Sequence, residues 1–232
     1  MHEIKDQEQI SKYLTEHQLE TVIPEPLRLR LALYQFEKGE KICSQGEPIE
    51  HLYILLHGKI KVYTSSVQGK ILVLCFKKPL EAIGDIEYIR KSLVVNTVES
   101  VSRSHVLKIP YSSIDKHGAN SVPMLQFLLK VITEKFHIDS NFTNFNMLHP
   151  VETRLASYLL SVSSSKQDEE FVEDLHTSNM VDLANLLGTS YRHLNRVIHK
   201  MISEKWIERQ KGYITIVNRE SLINLADPNL YE

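Results

Sequence analysis

From about Leu31 to Pro110 the hydrophobic positions follow strand rules. His51-Leu52-Tyr53-Ile54-Leu55-Leu56 is a short apolar run closed by Gly58. Lys59 to Thr64 then alternates polar and apolar residues, as a half-buried strand does. Gln68-Gly69-Lys70 reads as a turn, and Ile71 to Phe76 as another β-rich run that Lys77-Lys78-Pro79 breaks. Val94, Val95, Thr97, Val98 and Val101 are β-branched, and His105 to Ile109 alternates again. Glycines at positions 39, 46, 58, 69 and 84 punctuate these runs. Many short strands joined by turns predict a small closed or rolled β structure.

After Ser121 the period changes. Ser121 suits a helix cap and Pro123 its first turn. Met124, Leu125, Phe127, Leu128, Val131, Ile132, Phe136, Ile138, Phe142 and Phe145 recur at helical spacing. That band is wider than the single stripe of a helix with one buried face. A helix packed on its own β domain and on a partner helix accounts for the excess. The dimer contact is therefore expected from Phe127, Leu128, Val131, Ile132, Phe136, Ile138 and Phe142.

Beyond His149 the pattern is helical with a terminal β signal. Pro150 to Val162 reads as one helix, and 163–174, with an acidic run at 168–170, as a loop. Asn179 suits a helix cap, with Asp182 three residues on. Leu183, Leu186 and Leu187 supply an apolar face, and Gly188 fits the left-handed position past a helix end. Ser190 caps a second helix in which Leu194, Val197, Ile198 and Met201 face inward. Two short helices around a glycine turn predict a helix-turn-helix. The opposite face carries Tyr191, Arg192, Asn195, Arg196 and His199, side chains suited to base edges and phosphates. Residues 207–210 and 213–216, with Lys211-Gly212 between them, read as a hairpin with a basic tip, a wing that would touch the DNA backbone.

Charge sharpens this picture. The chain of 232 residues has a formal charge of −2, which excludes an indiscriminate coater of DNA. Between Leu186 and Lys211, however, six Lys or Arg face two Glu, a local balance of +4. Cys43 and Cys75 are too few for a disulfide framework or a four-thiolate cluster, and read as reduced structural thiols. No apolar window is long enough for a membrane span, and the first residues lack a signal-peptide core, so a cytoplasmic protein is expected. No zinc-protease, nucleophile-elbow or Walker-type motif occurs, so no catalytic or metal-ligating residue is assigned and no enzyme is expected.

Ordered motifs along most of the chain resemble the Crp/Fnr superfamily of bacterial transcription regulators. They are Phe36-Glu37-Lys38-Gly39-Glu40, Gln45-Gly46-Glu47-Pro48, Leu52 to Val62, Ile83-Gly84-Asp85-Ile86, Val151 to Ala156 and Leu183 to Ser190. Ser190 to Leu194 and Lys211-Gly212-Tyr213 are similar to the YeiL-type branch. The resemblance implies an α+β fold: an N-terminal double-stranded β-helix (β-roll) over 1–120, a long dimerisation helix over 121–148 and a C-terminal winged helix-turn-helix over 149–232. It implies a homodimer on a pseudo-palindromic operator, with double-stranded DNA as partner and RNA polymerase as a further candidate. By matching position, Tyr191, Arg192 and Arg196 fall at base-contacting places and Ser190 at a phosphate contact. Asn195, His199, Lys200 and Lys211 complete the expected DNA-binding set. Tyr191 stands where the family has Arg, so a half-site different from the usual one is expected.

The resemblance also implies a ligand position at Gly84, Asp85 and Ile86. The later Arg-Ser or Arg-Thr of cyclic-nucleotide binders is replaced near Val94-Val95-Asn96, where no cation stands. A buried phosphate without its cation is unfavourable. No cyclic AMP binding is expected, no cofactor is assigned and the effector is left unnamed. The competing reading is a ligand-binding module that acts through protein contacts without specific DNA binding.

Overall fold

A computed structural model describes residues 1–67, 71–163, 175–176, 180–210 and 213–226, with the backbone alone described at Phe142, Thr143, Leu175, His176, Asp182 and Tyr213. Residues divide into two compact units. One comprises Met1–Val62 with Phe76–Lys135, the other Tyr63–Cys75 with Phe136–Glu232.

The first unit is the rolled β structure. Its five-stranded sheet runs in the order β1 (His2–Ile4), β2 (Ala32–Phe36), β9 (Ser104–Pro110), β4 (His51–His57), β7 (Glu81–Ile83). A four-stranded sheet runs β3 (Lys41–Cys43), β8 (Thr97–Ser100), β5 (Ile60–Ser65), β6 (Ile71–Lys77), of which Tyr63–Ser65 and Ile71–Cys75 are counted with the second unit. The apolar run of β4 is explained by burial on both faces. Leu52, Ile54 and Leu56 join Leu107 and Ile109 in one core, while Leu55 joins Val106, Phe36 and Ile60 in another. Because strand side chains alternate, each of these central strands supplies both cores.

Helices close the first of those cores. The strand periodicity did not reveal α1 (Gln7–Glu16) or α3 (Asp85–Arg90). Asp6 caps α1 by accepting from the Glu8 and Gln9 N–H groups at 3.0 Å each, and Ile10 and Leu14 enter the core. Gly84, at φ +85°, turns the chain into α3; a Cβ there would lie 2.6 Å from the Tyr111 hydroxyl and 2.7 Å from the His51 carbonyl oxygen. Between them α2 (Glu25–Arg28), and later α4 (Tyr111–His117), bury Leu27 and Ile114 in the same core.

The long helix α5 (Val122–Leu148) has 27 residues. Met124 and Leu128 are buried in the roll core, with Phe127 and Val131 packed against it.

In the second unit, α6 (Val151–Val162) is followed by α7 (Met180–Leu186) and α8 (Tyr191–Ser203). A three-stranded sheet in the order β10 (Leu175–His176), β12 (Tyr213–Ile216), β11 (Ile207–Gln210) and a last helix, α9 (Arg219–Leu225), complete it. The sequence reading missed β10 and α9. Asn218 caps α9 by accepting from the Ser221 N–H at 3.1 Å, a local signal that the expected terminal strand concealed. Arg154 on α6 donates to the Leu187 carbonyl and lies 3.4 Å from that of Gly188, closing the end of α7 with a buried cation.

Candidate nucleic-acid interface

The turn between α7 and α8 forms as its residues dictate. Gly188 takes φ +60°, and a Cβ there would approach Arg154 Nη1 to 3.2 Å. Ser190 accepts the His193 N–H at 3.2 Å and starts α8. Leu194, Val197, Ile198 and Met201 are buried, joined by Leu183 and Leu187 of the first helix and its turn.

The opposite face of α8 is open. Tyr191, Arg192, Arg196 and His199 are exposed and Asn195 is half-buried. Three- and four-residue spacing sets these groups side by side on the helix surface. Lys200 is turned toward α6, with its ammonium 3.9 Å from a Glu152 carboxylate oxygen. Arg209 on β11 donates to Asn195 Oδ1 at 3.2 Å. Its part in this face was not seen from the sequence, because fourteen residues separate the two. The β11–β12 pair has the antiparallel register Ile207↔Ile216 through Gln210↔Tyr213 expected of a wing. Lys211, Gly212 and Asn179 lie outside the described residues.

The residues expected at a dimer contact lie on different faces of the long helix. Leu128 is only 3% exposed and lies inside the roll core, and Phe127 and Val131 pack against it. The stripe left open is Leu125, Leu129, Ile132 and Phe136: Ile132 is half-buried, and the others are 46%, 63% and 72% exposed. Their spacing of four, three and four residues is that of a coiled-coil seam. Ile138 is half-buried, and the Phe142 side chain lies outside the described residues.

At the expected ligand position the structure shows internal contacts. Asp85 is 2% exposed, and its two oxygens accept from Lys135 Nζ at 2.9 and 3.0 Å. The same ammonium reaches Glu81 at 3.0 Å and the Ala82 carbonyl at 2.8 Å. Burial alone would push Lys135 down, but Glu81 and Asp85 beside it overturn this and hold its pKa above the ordinary 10.5. Asp85 is thus an internal ion-pair partner of α5. The Gly84 carbonyl accepts from the Tyr111 hydroxyl at 2.6 Å, and Ile86 is exposed. Nearby, Glu87 accepts the Val95 N–H at 3.0 Å, so a buried carboxylate occupies a main-chain donor in the expected phosphate-binding stretch.

A separate cavity of about 340 Å³ is lined by residues including Cys43, Glu47, His51, Tyr53 and Lys108; Gly84, Asp85 and Ile86 are not among its lining. Neither cysteine is in a disulfide. Burial, then the charge of Glu87, pushes the Cys43 thiol up to about 12, so it stays protonated near neutrality.

Residues 33–119 match the cyclic nucleotide-binding domain family, and residues 153–225 match the Crp-like helix-turn-helix domain. The chain belongs to the Crp/Fnr superfamily. Among Crp/Fnr relatives, the regulatory protein YeiL of Escherichia coli O157:H7 is 27% identical over 195 residues, spanning 84% of this chain and 85% of YeiL. The fumarate and nitrate reduction regulatory protein of Vibrio cholerae serotype O1 is 23% identical over 192 residues, spanning 82% of this chain and 76% of that protein. A Crp/Fnr-family transcriptional regulator from Eubacterium rectale shares the fold, with a TM-score of 0.67 at 19% identity over 92% of this chain and 98% of its own. The roll, long helix and winged helix-turn-helix are the Crp/Fnr architecture. The helix-turn-helix and the regulators it resembles support DNA binding.

Proposed function

We propose that this Crp/Fnr-type regulator acts as a homodimer that reads a pseudo-palindromic operator and does not respond to cyclic AMP. In this reading 1–120 is the sensor, 121–148 the dimerisation segment and 149–232 the DNA-reading segment. The observation that carries it is the exposed face of α8, where Tyr191, Arg192, Arg196 and His199 stand beside a buried apolar face. Placed in the major groove, Arg192 and Arg196 suit guanine, each supplying about 1–3 kcal/mol of discrimination. Ser190, Lys200 and Lys211 would add phosphate contacts that set register. The Leu125-Leu129-Ile132-Phe136 stripe supports pairing with a second copy, and RNA polymerase is the further partner that activation would need.

The failure to sense cyclic AMP is supported by two internal contacts, Lys135 on Asp85 and Glu87 on the Val95 N–H. A cyclic phosphate would enter beside a carboxylate, with hydrophobic Val95 in place of a cation. The test is selection of bound sites from random DNA, with light scattering on the complex. Two half-sites about one helical turn apart, bound by two copies, are expected. Binding without sequence preference overturns the reading, and a clear rise in thermal stability with cyclic AMP overturns the sensor part.

A further inference from the structure

Arg209 touches α8 from the wing. On β11, Ile207 is buried and the strand packs on α8. Strand residues two apart share a face, so Arg209 emerges on the helix side one step beyond Ile207. There its Nη1 donates to Asn195 Oδ1 at 3.2 Å. A guanidinium has donors only, so it fixes which end of the amide faces it. Oδ1 turns to the wing, and Nδ2, a donor, is the amide group left to meet a base. Asn195 lies three residues beyond Arg192, its neighbour on the helix surface, so its amide borders the same reading face.

An asparagine that reads adenine uses both ends of its amide, accepting from N6 and donating to N7; guanine shows only the acceptors N7 and O6 there. We infer that Arg209 is a specificity-determining residue acting through Asn195. By holding Oδ1, it makes Asn195 a donor-only reader that favours guanine over adenine at one base pair of each half-site. Arg209 is a positioning residue in this role. The inference rests on the proposed DNA reading, and the experiment separates the two.

Sites are selected from random DNA with the full-length wild type, Arg209→Ala, Asn195→Ala and the double variant, and affinities are measured on guanine- and adenine-substituted operators over a salt series. The wild type is expected to prefer guanine at the Asn195 position by roughly tenfold, the size of one good base contact. Arg209→Ala should shrink that preference to about twofold or less, since a released amide can turn to read adenine. In the Asn195→Ala background, the Arg209 substitution should leave the base profile unchanged. If Arg209→Ala weakens all sequences equally and lowers the salt slope by about one, Arg209 is a phosphate contact and the inference fails. It fails also if Arg209→Ala alters the base profile equally with and without Asn195. A wild type that selects no sequence overturns the DNA reading, and this inference with it.

Discussion

Replacing Lys135 by Met should unfold the roll far more readily while leaving the winged helix-turn-helix intact. The Lys135 ammonium meets Asp85 at 2.9 Å and Glu81 at 3.0 Å, and the side chains of Lys135, Asp85 and Glu81 are 23%, 2% and 13% exposed. Methionine conserves the bulk of the side chain, so the loss is electrostatic. Asp85 then lies buried without this cation, while Glu81 keeps Lys77 at 3.6 Å, and breaking a buried pair in this way costs about 3–5 kcal/mol. Deleting both charges, as in Lys135→Met with Asp85→Leu, should recover most of that, because an ion pair is worth little over a packed apolar pair. The assay is urea unfolding followed by hydrogen exchange at backbone amides of the roll. Fluorescence of the only tryptophan, Trp206, reports the second unit and serves as the control. A deficit below about 1 kcal/mol, or one that Lys135→Met with Asp85→Leu does not reduce, would refute the reasoning.

Four further outcomes are expected. Leu129→Lys with Phe136→Lys should give a monomer by light scattering, whereas Leu128→Ala should cost the roll about 2–5 kcal/mol without dissociating the dimer. Ser190→Ala should lower the stability of the second unit by about 1 kcal/mol through loss of its cap, measured by Trp206 fluorescence. Burial first, then His57, Arg103 and His2, hold His105 below its ordinary 6.5 against the pull of Glu37. The unfolded chain therefore takes up that proton first, and thermal stability should fall as pH drops below 6.5 toward the depressed folded value; His105→Gln should flatten this part of the profile. Cys43 should react slowly with a thiol reagent at pH 8, and mild urea that opens the roll should release it.

The helix-turn-helix was legible because its determinants are local. Asp6 and the helically spaced Ile10, Tyr13 and Leu14 offered the same kind of signal for α1, but the polar composition around them obscured it. The long helix shows a different limit. Its apolar band is wider than one contact face needs, yet periodicity cannot say which arc meets the roll. Only packing assigns Met124, Leu128 and Val131 to the roll and leaves Leu125, Leu129 and Phe136 open. Lys135 and Asp85 are 50 residues apart, and no local rule pairs them. Asp85 matched a ligand-binding motif by position while its charge was already neutralised from elsewhere in the fold.

The two stripes of α5 also have a mechanical consequence. Met124, Leu128, Val131 and Lys135 run with the same four-three-four spacing as Leu125, Leu129, Ile132 and Phe136, one residue behind. Successive residues are turned by about 100° around a helix, so the roll-gripping stripe and the open stripe are neighbouring tracks on one rigid rod. A side-chain tip lies about 5 Å from the axis, so a 10° roll of the rod would carry each open side chain sideways by roughly 1 Å. Any change that repacks Leu128 or lengthens the Lys135 contact therefore behaves as a twist applied to a shaft, and the open track must turn with it.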